Sequence, residues 1–187
     1  MNRYDDKKQD KKKLLMSSFI VFIMFGSILG YGLIYAGSST KRNVQNVEYN
    51  GYEFVKDGDF WVTNVNDQPF LFQYTPKQVE NINFDAFTIN NEKVYIAYDP
   101  EENVEFTLPF NKISAVLTPF NVRSVRACIN NKCEGLPLVS CDNENPVIYL
   151  KNSPETRIYT DQNCIVLEGD TAMASDRLNF AFLGVIR

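Results

Sequence analysis

Residues 147–185 read VIYLKNSPETRIYTDQNCIVLEGDTAMASDRLNFAFLGV, and this stretch decides the fold class. Val147 to Leu150 is a short unbroken apolar run with the length and β-branched content of a buried strand. Arg157–Tyr159 and Cys164–Glu168 form a second such pattern around a polar reversal, which predicts a hairpin. Asp170 stands where a helix N-cap belongs, and Gly184 stands where a left-handed residue ends a helix, so Thr171 to Leu183 is predicted helical. Within it Leu178, Ala181 and Phe182 are expected to face inward, and the charged pair Asp176–Arg177 to lie on a solvated face.

Working upstream, Lys93–Tyr98 (KVYIAY) is a buried-looking strand ended by Asp99-Pro100, and Val122–Ile129 is another. Asn103 to about Pro119 has patchy helical spacing, with Phe110, Ile113, Val116 and Leu117 on one face. Pro109 belongs in a first turn, so that helix is expected to begin near residue 108. Strand, helix, strand, a strand hairpin and a closing helix give an α+β fold with a mixed α/β sheet over about 93–187. Antiparallel strands precede it over about 51–74. Tyr52–Lys56 and Asp59–Val65 flank Asp57-Gly58, predicting a type I′ hairpin, and a turn at Asn66-Asp67-Gln68 leads into Pro69–Tyr74. Thr75-Pro76 reads as N-cap and first helical residue of a short helix to about Asn81.

The first 46 residues have another character. From Leu14 to Ala36 the chain runs LLMSSFIVFIMFGSILGYGLIYA without a charge. These residues span about 34 Å as a helix at 1.5 Å per residue, against a hydrocarbon core of about 30 Å. The run exceeds the roughly 7 to 15 residues of a signal-peptide core, so a retained single-pass anchor at 14–36 is expected. Arg3, Lys7, Lys8, Lys11, Lys12 and Lys13 precede it while Lys41 and Arg42 follow, which places residues 1–13 in the cytoplasm and the rest outside. Gly26 and Gly30 form a GxxxG spacing that permits close helix packing, and with it a homodimer through the membrane segment. Residues 37–46 read as a polar tether, and 47–187 as the extracytoplasmic domain.

From residue 43 onward the chain has 20 Asp or Glu against 11 Lys or Arg, a net −9. Phosphate backbones are bound chiefly through clustered basic residues, so no nucleic-acid partner is expected. The sequence contains no histidine. Ser-His-Asp and Cys-His catalysis and His-ligated zinc are thereby excluded. No glycine-rich phosphate loop and no GxSxG elbow is present, and no catalytic residue, cofactor or metal is assigned. Carboxylates at Asp57/Asp59, Asp99/Glu101/Glu102, Asp142/Glu144 and Glu168/Asp170 stand beside Gly, Pro or Asn, where turns favour them for backbone reasons.

Cys128, Cys133, Cys141 and Cys164 are the only cysteines. An even number on an exported domain implies two disulfides, and the spacing favours Cys128 with Cys133 and Cys141 with Cys164. The paired C-x2-C knuckles of metal ribbons are missing, as is the C-x-x-C of redox dithiols.

The pattern Val147-Ile148-Tyr149, Asn163-Cys164-Ile165, Glu168-Gly169-Asp170, Asp176-Arg177-Leu178 and Leu183-Gly184-Val185 resembles a group of uncharacterised single-span, membrane-anchored exported proteins of archaea. The resemblance covers about the last 40 residues, implies an anchored exterior domain, and carries no activity. Taken together, the sequence points to a non-enzymatic, protein-binding component of the cell envelope. The alternatives are a carboxylate-dependent hydrolase of glycans, which requires two facing acids, and a thiol-disulfide enzyme, which requires an exposed low-pKa cysteine.

Overall fold

The computed structural model describes residues 45–84 and 87–186, which belong to one compact unit running from Val44 onward. The expected cytoplasmic tail, membrane span with Gly26 and Gly30, and most of the tether lie outside the described residues. Among the described residues no helix is long and apolar enough to cross a membrane.

The fold is α+β, with two sheets and three helices. The first sheet is an antiparallel meander of β1 (Asn46–Tyr49), β2 (Tyr52–Asp57), β3 (Phe60–Val65) and β4 (Gln68–Phe72). It has four strands where three were expected, and its first strand starts at Asn46, the last residue assigned to the tether. The missed strand is announced by Asn50-Gly51, whose positive φ values of 48° and 82° suit a type I′ turn between β1 and β2. Asn66 and Asp67, at φ 51° and 62°, make the expected turn between β3 and β4. Between β2 and β3 the turn is displaced by one residue from the expected Asp57-Gly58. Asp57 pairs with Phe60, so Gly58 and Asp59 are central, and Gly58 alone has positive φ, as in a type II′ turn.

Helix α1 (Pro76–Val79) follows, its first turn held by Gln78, whose Oε1 accepts from the Thr75 N–H at 2.8 Å. The second sheet contains β5 (Lys93–Tyr98), β6 (Arg123–Cys128), β7 (Val147–Lys151), β8 (Arg157–Asp161) and β9 (Cys164–Glu168), in the order β6-β5-β7-β9-β8. All neighbours are parallel except the β8–β9 hairpin at one edge. Helix α2 (Thr107–Leu117) connects β5 to β6, with Pro109 in its first turn, and a 3-10 turn at Thr118–Phe120 prolongs it. Helix α3 (Thr171–Phe182) closes the chain, and the Asp170 carboxylate accepts from the Met173 N–H at 2.9 Å.

The helices form a middle layer between the sheets. Ile113, Leu117, Ala174 and Leu178 pack on Val94, Ile96, Ile148, Leu150, Ile165 and Leu167 of the second sheet. Val79, Val116, Phe180 and Leu183 pack on Phe54, Val65, Phe70 and Phe72 of the meander. This layering overturns one expectation for α3 and extends another. Asp176 and Arg177 are buried, at 0% and 6% exposure, because a helix covered on both sides has no solvated face left at that point. Phe180, not assigned inward, is fully buried and stacks on Phe72 at 4.2 Å between ring centroids, while Phe182 packs half-buried against both cores and Ala181 is half-buried.

The segment 129–146, which returns the chain from β6 to β7, crosses the far face of the second sheet. Val139 there packs with Ala97, Ala127, Val147 and Val166. Both disulfides secure it: Cys128 to Cys133 at the end of β6, and Cys141 to Cys164 at the start of β9. These are the pairs favoured from spacing, and they leave no free cysteine among the described residues.

Candidate functional site

Two places gather polar side chains near a concave surface. The first is the end of the second sheet where β5, β7 and β9 finish. The connection leaving β5 runs through α2 on one face and the connection entering β7 runs over the other, so the carboxyl ends of β5 and β7 form a switch point of the kind where open α/β sheets take ligands. Here the chain's own groups occupy that position. Glu102 accepts from the Asn152 N–H at 2.7 Å and from the Tyr149 hydroxyl at 3.5 Å, linking the two strand ends. Asp99 accepts from the Glu101 N–H at 2.8 Å and from the Asn130 side chain, which is the turn chemistry expected of it.

Glu168 departs from its expected turn role. It ends β9 as a buried residue at 1% exposure, in register with Lys151 on β7 and Arg157 on β8. Its carboxylate accepts from Lys151 Nζ at 2.9 Å, Arg157 Nε at 2.6 Å and the Tyr159 hydroxyl at 2.8 Å. Burial works against ionisation, but these donors outweigh it and hold the carboxyl at about 2. A carboxylate so acidic and so fully engaged is a poor proton donor or acceptor near neutral pH. Tyr149 is pushed well above the ordinary phenol range, chiefly by burial and then by the Glu102 and Asp99 charges, so it stays neutral. The cluster therefore works as a clamp across three strands.

The second place is the other edge of the same sheet. Strand β6 has β5 on one side only. The Arg123 N–H bonds to Glu92 O at 2.8 Å on the β5 side, and the Cys128 N–H bonds to Pro137 O at 2.9 Å on the outer side. Strand alternation then directs the N–H and C=O of Ser124 and Arg126 outward, away from β5. At Cys128 the outer edge is already covered, because Leu138 forms a parallel bridge there and the Val139 N–H bonds back to Cys128 O at 2.9 Å.

Beside this edge a groove of about 450 Å³ separates β6 from α2, walled by Phe110, Ser114 and Thr118 on the helix side and by Val122, Arg123 and Ser124 on the strand side. Asn121, at φ 58°, turns the corner between them. The Arg126 guanidinium lies 4.5 Å from the Phe110 ring centroid and 6.0 Å from that of Phe106, at the amino-terminal end of α2. The Ser114 and Ser124 hydroxyls are buried in the wall and meet no hydrogen-bond partner among the described residues. Large apolar side chains exposed among the described residues are Leu71, Phe120 and Leu138. Phe120, at 55%, precedes the strand and Leu138, at 60%, bridges to its end.

The groove residues were not singled out in the sequence. The available signal was the arginine pair within RSVRAC, since charge inside a strand is how natural sheets protect an exposed edge. The residues that were singled out fall elsewhere: the cysteines and Asp142/Glu144 at the crossing segment or the strand ends it is tied to, and the other carboxylates at the β2–β3 turn, the switch point and the β9–α3 junction. In comparisons with protein-family models, curated proteins and solved structures the chain has no match.

Proposed function

We propose that the chain is a membrane-anchored, extracytoplasmic, non-enzymatic module that binds a protein of the cell envelope. The observation that carries the binding reading is the open β6 edge beside the α2 groove, a surface that offers unpaired backbone donors and acceptors and flanking apolar side chains. The two disulfides support an oxidising compartment. The 23-residue uncharged stretch at 14–36, with its basic leading flank, supports the anchor and its direction.

The test has two arms on the full-length chain purified from membranes. Alkylation without reduction leaves the mass unchanged, and four thiols react after reduction; four reactive thiols in the untreated protein would overturn the extracytoplasmic reading. A photo-crosslinker placed at Arg126 in intact cells captures one specific envelope protein, which the same group at Asn64, on the exposed side of the meander, does not. Equal capture at both positions, or none, counts against the binding reading.

A further inference from the structure

We propose that the β6 edge accepts an extended, acidic segment of a partner protein as an added sixth strand of the second sheet, with one side chain seated in the α2 groove. This rests on the protein-binding reading above and names the chemistry of the partner.

The edge sets the geometry. Only Ser124 and Arg126 present backbone groups outward, because Cys128 is covered by the 137–139 bridge. An incoming strand therefore makes up to four ladder hydrogen bonds over three residues, and Leu138 limits how far it runs in that direction. Leu138 against Cys128 shows the same edge already holding an extended segment of this chain.

The side chains set the composition. Ser124 and Arg126 pair in register with Val94 and Ile96, whose side chains face the helix layer, so their own side chains share that face. A partner residue beside Ser124 points into the groove between β6 and α2. A β-branched polar side chain such as threonine suits an extended strand at that position and enters the groove without crowding it. Two positions along, beside Arg126, a carboxylate meets a guanidinium; on the opposite face Arg123 calls for the same charge. With one arginine on each face, this edge is basic on a domain of net −9, so complementarity selects an acidic segment.

A second copy is a poor occupant. Antiparallel pairing of two β6 edges that uses both outward residues sets Arg126 opposite Ser124 of the other copy. The two Arg126 side chains then stand on one face at the diagonal spacing of about 7–8 Å, a like-charge pair.

The probe is a fluorescein-labelled, blocked octapeptide of repeating Glu-Glu-Thr-Thr, which puts both residue types on each face of a strand, with a Lys-Lys-Thr-Thr version as control. Titrated against the full-length chain in detergent, the acidic peptide is expected to bind at least tenfold more tightly. It should also slow amide exchange over residues 123–128. Arg126→Pro removes an outward donor without touching the β5 ladder and is expected to lose at least tenfold. Should that variant fold poorly, Arg126→Glu reverses the preference toward the lysine peptide. Equal binding of both peptides, protection elsewhere, or no binding overturns the proposal. So does protection of 123–128 that rises with protein concentration alone, which assigns the edge to a second copy. A specific partner still crosslinked in cells while the peptide fails to bind sinks the strand-addition mode and leaves the broader reading standing; loss of both sinks both.

Discussion

Gly169 joins β9 to α3 at φ +82°, and a Cβ built on it would lie 2.5 Å from the Glu155 carbonyl oxygen and 2.8 Å from Thr156 Cα. Both the left-handed backbone and a wall of main chain exclude a side chain there, and main chain does not yield as a flexible side chain would. Gly169→Ala is expected to cost about 2–4 kcal/mol in urea unfolding. Gly184→Ala, at φ +71° with nothing within 4 Å, is expected to cost only about 1 kcal/mol. Equal losses would show that crowding plays no part at Gly169.

One residue earlier, Glu168 ties stability to pH. Its folded carboxyl, at about 2, is depressed from an ordinary 4.5. The stabilisation is therefore complete above pH 4.5 and is lost as pH falls from there through 2. Lys151 and Arg157 are partly exposed, at 38% and 57%, so solvent screening reduces the contribution to about 1–2 kcal/mol. Wild type and Glu168→Gln should converge in unfolding free energy between pH 4.5 and 2.5; a constant gap would remove Glu168 from the acid response.

At the scale of elements, Cys141–Cys164 closes a separation of 23 residues and Cys128–Cys133 one of five. By loop-closure entropy these contribute about 3 and about 2 kcal/mol. The longer bridge also holds the 129–146 segment over Ala97 and Ala127, which otherwise meet water. Replacing Cys141 and Cys164 together by serine is expected to lower the melting temperature more than replacing Cys128 and Cys133. The reverse order would show that the β6 end depends more on its staple than the crossing segment does.

What was readable at this scale was local. Asp170 and Thr75 mark helix starts, and Asn66-Asp67 marks a turn, because a few adjacent residues fix those conformations. The cysteine pairs were readable because spacing constrains reach. Strand order was not, since it depends on partners far apart in sequence: Tyr95 pairs with both Val125 and Val147. That β6 is an edge follows from strand order alone, so the groove residues became a site only once the sheet was assembled.

At the scale of the whole molecule, the buried charge in the helix layer ties the end of the meander to the two long helices. Asp176 on α3 accepts from Lys112 Nζ on α2 at 2.5 Å, and from the Gln73 and Tyr74 N–H groups after β4 at 2.7 and 3.0 Å. Lys112 also reaches the Gln73 side chain at 3.2 Å. Burial pushes the Asp176 carboxyl up, against the pull of Lys112 and the two backbone donors. The partners are thus unequal when one is removed. Asp176→Asn leaves an ammonium buried without a counter-charge and is expected to cost about 3–5 kcal/mol. Lys112→Met leaves a carboxylate that keeps two backbone donors and sheds its charge by binding a proton, so it should cost less at neutral pH. In that variant the folded carboxyl titrates above its unfolded value, so the penalty is greatest above that range and is relieved as pH falls, with stability rising relative to wild type from pH 7 toward 5. Because the same carboxylate pins the end of the meander to both large helices, Asp176→Asn should shift two reports of unfolding together. These are the fluorescence of Trp61 on β3 and the amide exchange of Ile148 in β7. Two separated midpoints would mean that apolar packing of the helices alone couples the layers, and that the buried pair serves only the segment between β4 and α1.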